Sequence, residues 1–182
     1  TGRTEIKCVK FVPTMSIAKE DETGYIETGH KDINRLILNC VWGMRSNYLS
    51  VPTDCPQREK NGWTADAHIS IDIALTNYDA ILAYEKWIDD IVDNQREDGS
   101  ISGVIPGTAW GFADWIGPVW DAVMFIIPDA LYNYYGDESS IRRIYPTCQR
   151  YLEYLRGREN EEGVIAYGLS DWCFWQTQTP ND

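Results

Sequence analysis

A mainly α-helical domain of stacked hairpins is predicted by three features of the chain. Apolar residues recur at helical spacing in five stretches after residue 30, strongly apolar helices alternate with plainly amphipathic ones, and the connections are alternately short and long. Helices covered on both faces and helices covered on one are what concentric layers produce, so the alternation predicts an inner and an outer layer. Residues 1–28 differ. Ile6, Cys8, Val9 and Phe11 alternate weakly around Pro13 and ahead of Gly24, the mark of a strand-like tail of a preceding β-domain or linker. The predicted division is therefore 1–28 and 29–182.

Each helix has its own signal. Ile33, Leu36, Ile37, Cys40, Val41 and Met44 place the first from about Lys31, with Asn34, Arg35 and Asn39 on its polar face. Thr64 is expected to cap the second through its hydroxyl, with Asp66 in the first turn, where the positive end of the helix dipole favours a carboxylate. Ile69, Ile71, Ile73, Ala74, Leu75 and Tyr78 cover much of its circumference, which predicts an inner helix. Asp79 is expected to cap the third, an outer helix with Ile81, Leu82, Tyr84, Ile88, Ile91 and Val92 opposite a charged face. Trp87 falls opposite that apolar stripe and is read as packing. Residues 95–118 form a long glycine-rich connection whose Trp110, Phe112, Asp114 and Trp115 predict a site-lining loop. Pro118 opens a fourth helix through Trp120, Met124 and Leu131, which Pro128 should kink and Gly136 should end. Asp137 caps the fifth, running through Ile144, Cys148 and Tyr151 with a bend at Pro146.

The chemistry concentrates between the first two helices. Residues 53–66 carry Asp54, Glu59 and Asp66 with Arg58 and Trp63, in a segment that Pro56 and Gly62 keep irregular. Carboxylates spaced irregularly on a loop converge on a point more readily than on a helix face, where only i+3 and i+4 neighbours meet. Such a group suits glycosidic bond cleavage, in which one acid protonates the leaving oxygen, a second carboxylate activates water or attacks the sugar, and aromatic faces hold the ring.

The run Asp54-Cys-Pro-Gln-Arg-Glu-Lys60, followed by Gly62-Trp-Thr64 and Asp66, resembles the central motif of the glycoside hydrolase family 78 α-L-rhamnosidases. A looser resemblance runs from about Tyr25 to the chain end through Asn34-Arg-Leu36, Trp120-Asp121, Tyr135-Gly-Asp137 and Asp171-Trp172. Ala65 departs from the glycine found there in many members. The resemblance implies an inverting enzyme whose catalytic domain is an (α/α)6 barrel, of which this chain would supply about five helices of twelve. It implies that Glu59 is the general acid, and that Asp54 and Asp66 hydrogen-bond the rhamnose hydroxyls with Arg58 orienting one of them. Trp63, Trp115, Trp120 and Trp172 would form the apolar wall that a 6-deoxy sugar's methyl group requires. Core packing for any one tryptophan, and helix or turn capping for Asp54 and Asp66, stand as the alternatives. The general base in the family is a glutamate from a later part of the barrel, and no residue after Asp171 matches it. The chain is therefore expected to be a fragment, inactive alone. Two other readings stay open, a glucuronyl hydrolase or glucoamylase-like barrel enzyme and a non-catalytic carbohydrate-binding helical module.

Composition narrows the partners. A net charge of −12 across 182 residues leaves no basic patch for nucleic acid, and no apolar run approaches the roughly 18 residues of a membrane span. The N-terminus lacks a charged-then-apolar signal, and no compartment follows from that. Five cysteines without a CxxC pair indicate neither a disulfide framework nor a zinc site; most are expected to be buried thiols, and no metal or cofactor is expected. Cys55 as nucleophile would need a histidine base, and only His30 and His68 exist. The expected partner is a rhamnoside, with self-association through uncovered helix faces.

Overall fold

The computed structural model of the chain describes residues 7–10, 16–107 and 116–169. Helices dominate in the order α1 (Lys31–Ser46), α2 (Thr64–Asn77), α3 (Ile81–Asn94), the short α4 (Pro118–Asp121), α5 (Val123–Tyr135) and α6 (Glu138–Arg156). Helix α5 packs against α2, α3 and α6, and it buries Val123, Met124, Ile127, Ala130 and Leu131 where they meet. Its place in the middle accounts for its apolar circumference. Among the described residues of the strand-like segment, only an isolated bridge between Glu22 and Tyr78 and a 3-10 turn at Lys19–Asp21 appear. The strand pairing sits elsewhere, in a short hairpin of β1 (Tyr48–Leu49) and β2 (Val51–Pro52) with Ser50 at φ 67° in its turn. That hairpin, too short to leave a periodic trace, hands the chain from α1 to the carboxylate loop.

The ends of the helices show which sequence signals survived tertiary competition. Asp137 caps α6, accepting from the amides of Ser139 and Ser140, and Gly136 closes α5 in the left-handed conformation at φ 71°. Two expected caps are not made. Thr64 is the first residue of α2 rather than its cap, and its hydroxyl donates 3.1 Å to the Gly103 carbonyl instead. Asp79 does not cap α3; the Ala80 amide donates to the Tyr135 hydroxyl of α5, 3.2 Å away. The predicted fourth helix is split at Ala122 into α4 and α5. Pro128 lies inside α5 and has no N–H to give, so the Met124 carbonyl takes a 3.6 Å bond from the Cys148 thiol. Trp87 is packing, but within the buried stripe of Tyr84, Ile88 and Ile91 rather than opposite it. Of the cysteines, Cys148 is buried and Cys55 half-buried, while Cys8 and Cys40 are exposed, which corrects the expectation of buried thiols; Cys173 lies outside the described residues.

Packing is uneven. Helix α1 makes its main helix contacts with α2 alone, and of its apolar residues only Met44 is buried. Ile33, Leu36, Leu38 and Trp42 face solvent, Leu36 at 62% exposure, and Ile69 of α2 is 75% exposed. The circumferential burial expected for α2 is thus only half realised. Contiguous apolar surface is costly at about 25 cal/mol per Å² and uncommon on monomers.

Two carboxyls move in opposite directions. Burial pushes Asp121 up to about 7, against the pull of the Tyr151 hydroxyl that donates to it. Desolvation also acts upward on Asp137, but its hydrogen bonds from Ser139 and Ser140 outweigh it and hold that carboxyl at about 2. A carboxyl raised in the fold contributes its stability while protonated, so the Asp121 contribution is present below its unfolded value of about 4 and is lost as pH rises through about 7. Asp137 contributes above about 4, and that contribution disappears as pH falls through about 2.

Two outcomes are expected. The melting temperature should decline between about pH 4 and about pH 7, and Asp121→Asn should flatten that decline, as read by circular dichroism; an equal slope in both proteins would place the titrating group elsewhere. The chain by itself should self-associate or bind a hydrophobic dye through the α1 and α2 faces. Light scattering that finds a compact monomer without dye binding would show those faces to be covered.

Candidate active site

The carboxylate loop is closed on itself. The Asp54 amide donates to the Asn61 carbonyl at 3.0 Å, and the Asn61 amide returns a 2.9 Å bond to Asp54 Oδ1. Lys60 takes φ 56°, which turns the chain directly after Glu59. The loop is then fastened to the long connection by an antiparallel bridge of Trp63 with Val104. Ile105 N–H donates to Gly62 O at 2.8 Å, and Thr64 N–H donates to Gly103 O at 3.0 Å. Only glycine fits at 62, because a Cβ there would stand 2.0 Å from the Ile105 carbonyl oxygen.

This folding brings Asp54, Arg58, Glu59, Trp63, Asp66 and Trp120 around one open cavity of about 540 Å³, together with Cys55 and Leu169. That volume lies in the range of small-ligand pockets, roughly 300–1,000 Å³. Trp115 and Trp172, with Trp110, Phe112, Asp114 and Asp171, lie outside the described residues.

Within the cavity the side chains are already oriented. Trp63 Nε1–H donates to Glu59 Oε2 at 3.0 Å, and the Glu59 amide donates to Cys55 Sγ at 3.1 Å. Glu59 is exposed, so the apolar enclosure expected beside Trp63 is not supplied by the described residues. Arg58 is also exposed and takes part in none of the described ion pairs. Asp54 spends Oδ1 on its own loop and keeps Oδ2 as a second acceptor, so its turn-holding role and a sugar-binding role are compatible. Desolvation raises the Asp66 carboxyl, the Asp54 charge raises it further and Glu59 adds a smaller push, against a backbone hydrogen bond and His68. Much of the Asp66 surface nevertheless remains open to solvent, so water still screens the three charges.

The far wall comes from two other segments. His68 Nε2–H donates 3.0 Å to the Val119 carbonyl, tying α2 to α4 beside Trp120. The Leu169 amide donates 2.6 Å to the Ile116 carbonyl, which seats Leu169 at the rim. Cys55 had a signal in its place within the motif; Leu169, more than a hundred residues from the carboxylate loop, had none.

Known proteins resemble this chain over part of their length. Residues 21–182 match the model of the bacterial alpha-L-rhamnosidase 6 hairpin glycosidase domain. Over 162 residues the chain is 35% identical to an alpha-L-rhamnosidase of Streptomyces avermitilis, covering 86% of this chain and 15% of that protein. The solved alpha-L-rhamnosidase of Dictyoglumus thermophilum superposes with TM-score 0.75 at 36% identity, over 84% of this chain and 17% of that one. That of Streptomyces avermitilis, determined in complex with L-rhamnose, gives TM-score 0.73 at 33% identity, over 80% and 14%. This chain therefore corresponds to about one sixth of those proteins, within their helical hairpins. The fold is part of an (α/α)6 barrel, and the chain belongs to the bacterial alpha-L-rhamnosidase family of glycoside hydrolases, in its six-hairpin glycosidase domain.

Proposed function

We propose that this chain carries the acid side of an active site that removes terminal, non-reducing α-L-rhamnose from rhamnosides with inversion. The observation that carries the reading is the convergence of Asp54, Arg58, Glu59, Trp63, Asp66 and Trp120 on one cavity, with Glu59 already hydrogen-bonded by an indole. The family membership sets aside the glucuronyl hydrolase and glucoamylase-like alternatives. The rhamnose complex of the Streptomyces avermitilis relative supports rhamnose as the sugar.

Glu59 acts as general acid in this reading. Because Oε2 accepts the Trp63 N–H, the transferable proton sits on Oε1, which delivers it to the glycosidic oxygen as the C1–O bond breaks. Asp54 Oδ2 and Asp66 accept from sugar hydroxyls, Arg58 donates to an oxygen of the sugar or to a neighbouring carboxylate, and Trp63, Trp115, Trp120 and Trp172 enclose the methyl-bearing face. Inversion needs a second carboxylate, about 6.5–9.5 Å away, to activate water on the opposite face. The family resemblance assigns that base to a glutamate outside this chain, so the chain alone binds the sugar without turning it over.

In the full-length protein, Glu59→Gln should lower kcat on natural rhamnosides by on the order of a hundredfold or more. An aryl rhamnoside whose phenol departs unaided should lose far less. Equal losses on both substrates would assign the acid to another residue.

A further inference from the structure

Trp120 is the one described aromatic wall of the cavity whose own polar atom does not hold it. Trp63 is anchored through its indole N–H to Glu59, and Trp87 in the core through its N–H to the Ile105 carbonyl. The Trp120 Nε1–H is buried and has no partner among the described residues, so among them the placement of this ring falls to its chain neighbours. Both neighbours are fastened. On one side the Val119 carbonyl accepts from His68 of α2, and on the other the Asp121 carboxylate accepts at 2.7 Å from the Tyr151 hydroxyl of α6. Helix α4 is a single turn and cannot hold its own orientation by length.

Asp121 is 4% exposed. A buried carboxyl with one hydrogen-bonded oxygen is an expensive way to fill space, and an apolar side chain would pack there at less cost. Such departures from local economy tend to lie where a site must be held. The second oxygen, Oδ1, has no partner among the described residues, and Asp121 lines a small cavity of about 50 Å³ together with Tyr167. Tyr167 lies two residues before Leu169, so the same cavity backs both α4 and the segment that supplies the rim of the sugar pocket.

We infer that Asp121 is a positioning residue for the sugar pocket, which holds Trp120 against the substrate by clamping α4 to Tyr151. The consequence for substrate rests on the rhamnosidase reading above; the placement of Trp120 does not. Asp121→Ala removes the clamp, whereas Asp121→Asn keeps an oxygen that accepts from Tyr151 and should restore the ring.

The test uses the full-length protein and two readouts. The emission of Trp120, taken as the difference between each protein and its Trp120→Phe counterpart, needs no sugar. It should shift to the red and become more open to acrylamide quenching in Asp121→Ala, and return to its original form in Asp121→Asn. For a rhamnoside, Asp121→Ala should raise KM about tenfold with a smaller change in kcat, and should add little to Trp120→Phe, since both changes act through one ring. Tyr151→Phe replaces Asp121→Ala if the latter does not fold, with the same expectations. An unchanged Trp120 emission in the alanine variant, an asparagine variant that fails to restore it, or additive effects on KM would each overturn the inference. A shifted emission in Asp121→Ala, restored in Asp121→Asn, together with a wild-type protein that turns over no rhamnoside, would uphold the clamp and refute the sugar reading.

Discussion

The bridge between Trp63 and Val104 holds the carboxylate loop to the helical body, and the site's geometry depends on it. Its two main-chain hydrogen bonds run from Ile105 to Gly62 and from Thr64 to Gly103. It is supported from beneath, because the Ile105 carbonyl accepts the indole N–H of Trp87, a fully buried residue of α3. Thr64 is itself fully buried and adds a hydroxyl bond to the same Gly103 carbonyl. Through these contacts a loop without regular structure inherits the rigidity of the core, which is what the acid role proposed for Glu59 requires of the segment that presents it.

The opposite wall is built by a different economy. Among the described residues, the turn α4 takes side-chain bonds from α2 and from α6, and the Leu169 amide bonds the Ile116 carbonyl while Arg158 lies over the Tyr167 ring. The carboxylate side is thus set by main-chain pairing and the aromatic side mostly by side-chain contacts. Raised carboxyls sit on both sides, Asp66 near its two acidic neighbours and Asp121 in the core. In the first, neighbouring charges add to desolvation; in the second, burial is the sole upward influence, opposed by Tyr151.

The sequence was legible wherever one segment settled its own structure. The capping of α6 by Asp137, the glycine end of α5 and the helical periods needed no distant partner. Two of the misread features involve one. Thr64 gave its hydroxyl to a carbonyl 39 residues away, and Asp79 lost its capping place to a tyrosine 55 residues from Ala80. Trp87 belonged to an i, i+3, i+4, i+7 stripe with Tyr84, Ile88 and Ile91 that the sequence did contain, but the exposed Leu82 drew the assigned face around the helix. In the site, the motif from Asp54 to Asp66 was visible because its chemistry is contiguous. Leu169 and the Asp121–Tyr151 clamp were not, since nothing local distinguishes them from ordinary core and loop residues.

The dependence of the site on the bridge is most directly measured by hydrogen exchange of single amides. Thr64 and Ile105 N–H should exchange at rates close to those of buried helical amides in α3 and α5, and far more slowly than Gln57 or Arg58 in the loop they restrain. Exchange of Thr64 and Ile105 as fast as that of the loop would show that the carboxylate segment is not held by the body of the protein, and would contradict the account of how Glu59 is presented.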